Sequence, residues 1–276
     1  MNLNIETSGT ELRFLADGAE VARYESTDAF KPHFRRLLSP AGHSMVVCQP
    51  HDHVHHKGCF FGLATREFNF WEESASPSNP TPTGRQVSCT LKLDHASGSE
   101  VGFTQMLHWA GLDGTPVFDE ERQIRLRVAA EGYVWTWRTR LASLCDNELA
   151  MSPWSMANAR GEKINYHGLA FRLRRDFSGM GGNTVLLDGK PATFADALGT
   201  TPVSAVTFIG SVDEFRPVPR IALTLRQAQP GVLFILENPF AWISAGPSNL
   251  APVAWPRGTM WEQTYTFTVA DVPPAA

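Results

Sequence analysis

Runs of residues that alternate between apolar and polar, separated by glycine-containing turns, constrain the fold of this chain more than any other feature. Such alternation places successive side chains on opposite faces of a strand. Asp17-Gly18 and Asp188-Gly189 each separate two such runs, and this dipeptide is typical of a two-residue hairpin. Further strands are predicted at residues 86–94, 101–110, 122–128 and 133–141. The pattern indicates antiparallel sheet.

The helical signal is weak throughout. No stretch keeps a sustained 3.6-residue apolar period, and short helices are predicted only at residues 192–198 and 147–159. A length of 276 residues is within the range of one all-β domain. We therefore predict an all-β fold, a large antiparallel β-sandwich that spans residues 1–276 as a single domain. Five arginines in the central strands are predicted to form a solvated sheet face with cross-strand partners: Arg122, Arg125, Arg127, Arg138 and Arg140.

Four of the nine histidines lie within residues 51–56. If this run is extended, His51, His53 and His55 share one face and His56 points away. Neutral imidazole serves as general acid, general base or metal ligand. The run therefore predicts a functional site, the alternative being a polar turn whose histidines cap backbone groups.

A metal and a metal-free site both fit this pattern. His51, His53 and His55 form a tentative ligand set for one divalent transition metal such as Zn, Mn, Fe or Ni. A metal-free acid/base pair of a histidine and a carboxylate is equally compatible with the sequence.

The segment at residues 66–73 mixes aromatic side chains with Asn, Arg and carboxylates. Aromatic rings stack on the C–H faces of sugars, and polar groups bond the hydroxyls. The segment therefore predicts a sugar-binding cleft, or alternatively an amphipathic strand. The Pro/Ser/Thr-rich loop at residues 74–84 is predicted to cover this site.

A carboxylate is needed beside the histidines, and the candidates are Glu67, Glu72, Glu121 and Glu237. Glu237 follows the apolar strand 232–236, where an unpaired charge is costly and a raised pKa would make a good base. The predicted catalytic residues are His53, His55, His56, Glu72 and Glu237. The predicted substrate-binding residues are Asp52, Lys57, Asn69, Trp71, Tyr166, His167 and Asn249.

Charge and hydropathy exclude several classes of partner. The net charge of −4 and the lack of a basic block speak against nucleic acid. No apolar run approaches a membrane span, and no signal peptide is visible. The four cysteines form no C-x-x-C pair and are expected to be free thiols, which favours the cytoplasm. A homo-oligomer is compatible with the sequence.

Two motifs resemble a bacterial family of unknown function that is called PmoA-like and often labelled "methane oxygenase". They are Asp-His-Val-His-His-Lys-Gly at residues 52–58 and Asn-Phe-Trp at residues 69–71. The stretches 166–172 and 237–249 also look like that family. The resemblance implies a β-supersandwich like that of the aldose mutarotases, and a role in carbohydrate catabolism. The oxygenase label is set aside, because methane chemistry needs membrane helices that this sequence lacks.

Three functions follow as hypotheses. The first is a lyase, hydrolase or epimerase that acts on a sugar, a keto-sugar or a glycoside by His/Glu acid–base chemistry. The second is a carbohydrate-binding or accessory module without chemistry. The third is a metal-dependent oxygenase or isomerase of the jelly-roll type.

Overall fold

The computed structural model describes residues 1–179, 182–199, 202–213 and 215–273. Within these ranges the strands, in chain order, are β1 (Leu3–Ser8), β2 (Glu11–Ala16), β3 (Ala19–Glu25), β4 (His33–Leu37), β5 (Cys59–Gly62), β6 (Gly84–His95), β7 (Ser97–Gly98), β8 (Glu100–Gly111), β9 (Pro116–Ala129), β10 (Gly132–Ser143), β11 (Asn147–Leu149), β12 (Met156–Ala157), β13 (Lys163–Ile164), β14 (Gly168–Arg172), β15 (Thr184–Leu187), β16 (Lys190–Ala192), β17 (Val203–Ser211), β18 (Arg220–Gly231), β19 (Leu233–Leu236), β20 (Trp242–Ala245), β21 (Val253–Trp255) and β22 (Met260–Val272). A 3₁₀ turn covers Arg175–Phe177, and a short α-helix, α1, covers Phe194–Ala197.

Most of the strands in the described ranges join two nine-stranded antiparallel sheets. The first sheet has the order β19-β20-β14-β5-β4-β3-β2-β1-β7, and the second has the order β16-β15-β17-β18-β22-β10-β9-β8-β6. Side chains from both sheets form one apolar core, in which Phe14 of the first sheet packs edge-on against Trp135 of the second, with ring centroids 5.0 Å apart. The predicted all-β fold, a large antiparallel β-sandwich, is confirmed.

The two Asp-Gly hairpins are also confirmed. Asp17 and Gly18 have φ values of 48° and 82°, and Asp188 and Gly189 have φ values of 46° and 79°. A two-residue hairpin turn of the type favoured by the strand twist requires positive φ at both positions, which Asp-Gly tolerates.

The helix predictions are only partly confirmed. The segment 192–198 contains α1, whose N-cap is Thr193. The prediction of a helix at 147–159 is wrong, because this segment contains β11, a turn and β12. Pro153 disfavours helical backbone at the residue before it, and β11 instead pairs with β21.

Four of the five arginines predicted at the surface do lie on the outer side of the second sheet, but Arg122 does not. Its side chain is fully buried between the sheets, as is that of Glu120. Both residues share the inward face of β9 with Ile124 and Leu126, because their positions have the same parity in the strand. The prediction for Arg122 was therefore wrong.

Arg122 and Glu120 form the centre of a buried polar network. The guanidinium donates to Glu120 at 2.7 and 2.9 Å, to the Tyr24 hydroxyl at 3.1 Å and to Gln86 Oε1 at 3.0 Å. Thr139 also donates to Glu120, at 2.8 Å. The charges thus satisfy each other inside the sandwich, as a buried ion pair must.

No helix within the described parts of the chain is both long and apolar enough to cross a membrane.

Candidate functional site

A cavity of about 470 Å³ opens beside the histidine run. We call it the histidine cavity. Its volume is typical of small-molecule pockets. It is lined by three imidazoles, one carboxylate, five aromatic rings, two serines and three aliphatic side chains: His53, His55, His56, Glu72, Trp154, Tyr166, Phe234, Phe240, Trp242, Ser74, Ser76, Met156, Leu236 and Pro239.

The histidine run is not extended, contrary to the prediction. Backbone hydrogen bonds from His53 to Pro50 and from His56 to His53, both 2.9 Å, close two successive turns. The chain then leaves through Gly58, whose φ is 76° and where a Cβ would lie 2.4 Å from the carbonyl oxygen of Phe34. Only glycine fits that approach without a shift of the backbone.

The turns gather histidines that an extended strand would separate. The His53 and His56 rings stack at 4.6 Å, and the His55 and His56 rings meet edge-on at 4.5 Å. His56, predicted to point away, therefore lies in the cavity. His51, predicted to share its face with His53 and His55, is exposed instead and accepts a hydrogen bond from Arg175 at 3.2 Å.

The tentative metal-ligand set of His51, His53 and His55 is thus not brought together, because the turns carry His51 out of the cavity. Among the described residues there is no group of three or more His, Cys, Asp or Glu side chains arranged to hold a metal ion.

Asp52 orients His53. Its carboxylate lies 3.1 Å from His53 Nδ1 and accepts hydrogen bonds from Arg175 at 2.6 Å and Arg172 at 3.2 Å. Although desolvation acts to raise it, the pKa of the Asp52 carboxyl is held well below its usual range by these bonds and by the charge of Arg172. An ionised Asp52 places the proton of a neutral His53 on Nδ1 and leaves Nε2 as an acceptor.

His55 and His56 are held neutral. Burial, followed by the charge of Lys31, lowers the pKa of His55 to about 3. Burial and the neighbouring histidines lower the pKa of His56 well below its ordinary value. His56 Nδ1 also accepts a hydrogen bond from Arg172 at 3.2 Å, so its proton is placed on Nε2.

Glu72 provides the one carboxylate in the described lining of the cavity. Burial raises the pKa of Glu72 even though Asn79, Asn69 and Trp154 donate hydrogen bonds that lower it. Asn79 Nδ2 and Asn69 Nδ2 lie 2.8 and 3.1 Å from its carboxylate. A carboxylate with a raised pKa that lines the same cavity as neutral imidazoles is compatible with acid–base chemistry.

Asn69, Trp71 and Lys57, predicted to bind substrate, lie behind the cavity surface. Asn69 Oδ1 accepts hydrogen bonds from the backbone N–H groups of Trp71 and Glu72, at 2.8 and 3.1 Å. Trp71 is buried against Tyr166. Lys57 is buried and paired with acidic side chains. These residues support the cavity wall without lining it.

His167, Asn249 and Glu237 also lie outside the cavity lining. His167 is buried and bonded to Asn165, and Asn249 donates to the carbonyl of Val232 at 2.9 Å. Glu237 accepts a hydrogen bond from Asn183 at 2.8 Å, although Leu236 on one side of it lines the cavity. Tyr166, also a predicted substrate-binding residue, lines the cavity and bonds its hydroxyl to that of Ser152.

Several site residues did not stand out in the sequence. Phe240 lines the cavity and also lies 4.0 Å from the buried guanidinium of Arg172. Met156 projects from β12, in a segment that was predicted to be helical. The order Asn-Pro-Phe, one residue after an apolar strand, was the one sequence signal for Phe240. The loop at 74–84, predicted to cover the site, contributes Ser74 and Ser76 to the lining.

Buried neutral histidines predict a loss of stability in mild acid. Burial lowers the pKa of His33 to about 4 and the pKa values of His55 and His167 to about 3. Because the unfolded chain takes up these protons near pH 6.5 and the folded protein does not, the free energy of unfolding should fall as the pH drops from about 6.5 towards 4. The expected slope is about 1.4 kcal/mol per pH unit for each such histidine.

Urea unfolding between pH 7.5 and pH 4.5 measures this slope. His95 is exposed, so His95→Gln should leave the slope unchanged, whereas His33→Gln should reduce it. Equal stability at pH 7 and pH 5 would contradict the prediction.

The model of the family described as "Family of unknown function (DUF6807)" matches residues 11–274, and no curated protein matches the sequence. Among solved structures, the galactose 1-epimerase from Lactobacillus acidophilus NCFM is 9% identical, with 99% of both chains covered and a TM-score of 0.45. A galactose mutarotase-like protein from Lactobacillus casei ATCC 334 is 9% identical, with 97% of this chain and 99% of that chain covered and a TM-score of 0.36. None of these matches supports the PmoA-like family.

Proposed function

The chain belongs to the DUF6807 family of unknown function, and we propose that its histidine cavity processes a carbohydrate by acid–base chemistry. The substrate class is a sugar, an oxidised (keto-) sugar or a glycoside, and the reaction is an epimerisation, an elimination or a hydrolysis. The observation that carries the proposal is the pairing of Glu72, whose pKa burial raises, with neutral imidazoles in one aromatic cavity.

The aromatic lining supports a carbohydrate ligand. Trp154 is about half exposed, at 54%, and so offers an accessible ring at the cavity. The indole N–H of Trp242 is buried and has no hydrogen-bond partner in the described chain. Apolar ring faces beside a few polar groups suit a molecule that has both C–H faces and hydroxyls.

The proposed chemistry assigns a role to each polar group. In its ionised form Glu72 acts as the base that removes a proton from a hydroxyl or from a carbon next to a carbonyl. His56 Nε2–H donates a hydrogen bond to the oxygen on which negative charge develops. His53, oriented by Asp52, accepts or returns a proton at Nε2 on the substrate. The role of His53 requires a neutral ring, because a protonated imidazole has no nitrogen that can accept a proton.

A screen of purified protein by NMR tests the proposal. Aldoses, keto-sugars and glycosides are followed for exchange of C–H protons with D₂O, for anomeric conversion and for cleavage. Turnover of one class, lost in Glu72→Gln, is the expected result. Binding without turnover of any class would instead support a carbohydrate-binding module. No binding and no turnover across the panel would contradict the proposal.

Trp154→Ala is expected to weaken sugar binding by about tenfold, which corresponds to about 1.4 kcal/mol of lost ring contact. The Tm should hardly change, because the ring is half exposed. Titration calorimetry measures the Kd.

Trp154→Phe separates the ring face of Trp154 from its N–H group. This variant keeps an aromatic face but removes the hydrogen bond to Glu72. It should retain most of the affinity and raise the pKa of Glu72. If Trp154→Ala binds sugar as tightly as the wild type, the ring does not stack on the ligand.

A further inference from the structure

The side chains of residues 71, 72 and 73 lie in three different environments. Trp71 is buried in the core and Glu72 lines the cavity. Glu73 instead pairs with two buried lysines. The carboxylate proposed as the base thus lies between two residues that are fixed below the cavity surface.

Lys31 holds both neighbours of Glu72. It is fully buried, and its Nζ donates to the carbonyl oxygen of Trp71 at 2.5 Å and to Glu73 Oε1 at 3.4 Å. Its own backbone is fixed by Asp28, whose side chain accepts hydrogen bonds from the N–H groups of Phe30 at 2.9 Å and Lys31 at 3.3 Å. A single ammonium group therefore links the backbone before Glu72 to the side chain after it.

The charges around Lys31 balance. Lys57 pairs with Asp28 at 3.2 Å and with Glu73 at 3.1 Å, so two lysines face two carboxylates. A buried ion-pair cluster is costly to desolvate and is often no more stabilising than apolar side chains of the same volume. A gain in stability is therefore a weak explanation for this buried cluster. Its bonds to both neighbours of the cavity carboxylate provide a functional explanation.

We propose that Lys31 is a positioning residue that fixes the Glu72 carboxylate in the cavity through its bonds to the Trp71 carbonyl and the Glu73 side chain. This inference deepens the proposed function, because the role matters for catalysis only if Glu72 is the base. Lys31 itself does not line the cavity and is not a catalytic residue.

The electrostatics agree with this geometry. Burial raises the pKa of Glu72, and the charge of Lys31 opposes that rise together with hydrogen bonds from Asn79, Asn69 and Trp154. The Tyr166 hydroxyl also senses the charge of Glu72.

The charge of Lys31 also acts on His55. After burial it is the largest cause of the lowered pKa of His55, ahead of His53, Arg172 and Lys57. The ammonium group therefore favours an ionised Glu72 and a neutral His55 at the same time.

Titration of Glu72 by NMR tests the inference without any substrate. The carboxyl carbon of Glu72 is assigned by its loss in Glu72→Gln and is followed with pH in the wild type, Lys31→Met and Lys57→Met. Both lysine variants remove one buried cation that pairs with Glu73, but only Lys31 also bonds the Trp71 carbonyl. Lys57→Met is therefore the matched control.

Lys31→Met is expected to raise the pKa of Glu72 by about 0.5–1 unit and to raise that of His55 as well, because a nearby positive charge is lost. Lys57→Met should shift the pKa of Glu72 by less than half as much. An unchanged Glu72 pKa in Lys31→Met, or an equal shift in both variants, would overturn the inference. If Lys31→Met does not fold, Lys31→Gln, which keeps a donor near the Trp71 carbonyl, replaces it with the same expectation.

Turnover then separates the two proposals. If the screen finds a substrate, Lys31→Met should lower kcat about tenfold with little change in KM. It should also shift the decline of kcat at acidic pH to a higher pH. If no sugar is turned over, the proposed function fails, while the titration still decides whether Lys31 governs Glu72.

Discussion

Glu72→Gln is expected to lower kcat/KM by about 10²–10⁴-fold on the sugar that the screen identifies. The amide has nearly the shape of the carboxylate, and its carbonyl oxygen can accept the hydrogen bonds that Asn69 and Asn79 donate to Glu72 Oε2. The amide cannot accept a proton at neutral pH, and the loss of a positioned general base typically costs this much. Steady-state kinetics by NMR or a coupled assay measures the effect, and Tm should stay within a few degrees of the wild type.

The pH profile provides a second test of Glu72. Only the ionised carboxylate can act as a base, so kcat/KM should decline as the pH falls through the pKa of Glu72. Because burial raises that pKa, the decline should begin at a higher pH than for an ordinary carboxyl group. This decline of kcat/KM at acidic pH should be absent from the residual activity of Glu72→Gln.

Glu237→Gln provides the comparison, since the sequence alone favoured Glu237 as the partner of the histidines. In the structure Glu237 accepts a hydrogen bond from Asn183 and lies outside the cavity lining. We therefore expect Glu237→Gln to lower kcat/KM by less than tenfold. A larger loss in Glu237→Gln than in Glu72→Gln would move the catalytic role to Glu237.

Arg122→Met is expected to lower the free energy of unfolding by about 3–5 kcal/mol, which corresponds to a fall of roughly 10 °C in Tm. The substitution leaves the fully buried carboxylate of Glu120 without its counter-charge. It also removes a donor from the Tyr24 hydroxyl and from Gln86. Chemical and thermal unfolding measure the change.

Arg125→Met is the matched control, because it lies three residues along the same strand with its side chain 41% exposed and 3.4 Å from Glu100. An exposed pair of this kind contributes less than about 1 kcal/mol. The double variant Arg122→Met/Glu120→Leu should regain part of the lost stability, because neither charge is then buried alone. Equal losses in Arg122→Met and Arg125→Met would show that the buried network contributes little.

The sheet architecture followed from local chemistry in the sequence. Asp17-Gly18 sets a turn by the backbone angles it tolerates, and alternation sets which side chains face inwards. The same alternation also indicated that Arg122 faces inwards, because Arg122 is on the same side of β9 as Ile124 and Leu126. The prediction failed there because the charge of the side chain was given more weight than its parity, although a buried partner was available two residues earlier.

The site was less predictable because it depends on contacts between distant segments. The density of histidines identified His53, His55 and His56, but their shared orientation comes from two turns closed by backbone hydrogen bonds. Glu72, sixteen residues after His56, was one of four candidate carboxylates, and the sequence favoured Glu237 over it. The Asn79 partner of Glu72 lies in the loop that was predicted to cover the site, but Trp154 and the lysine pair Lys31 and Lys57 come from segments that no local pattern connects to Glu72.

The position of β22 has a consequence for biosynthesis. This strand lies between β18 and β10 in the second sheet and pairs with both along most of its length. While residues 260–272 are still inside the ribosome, the two halves of that sheet have no strand to join them. Tyr265, which bonds its hydroxyl to the Ala245 carbonyl of the first sheet, is also missing at that stage. The nascent chain must therefore leave the facing edges of β18 and β10 without a partner until synthesis has passed β22, and open strand edges of this kind are prone to pair with other chains during folding.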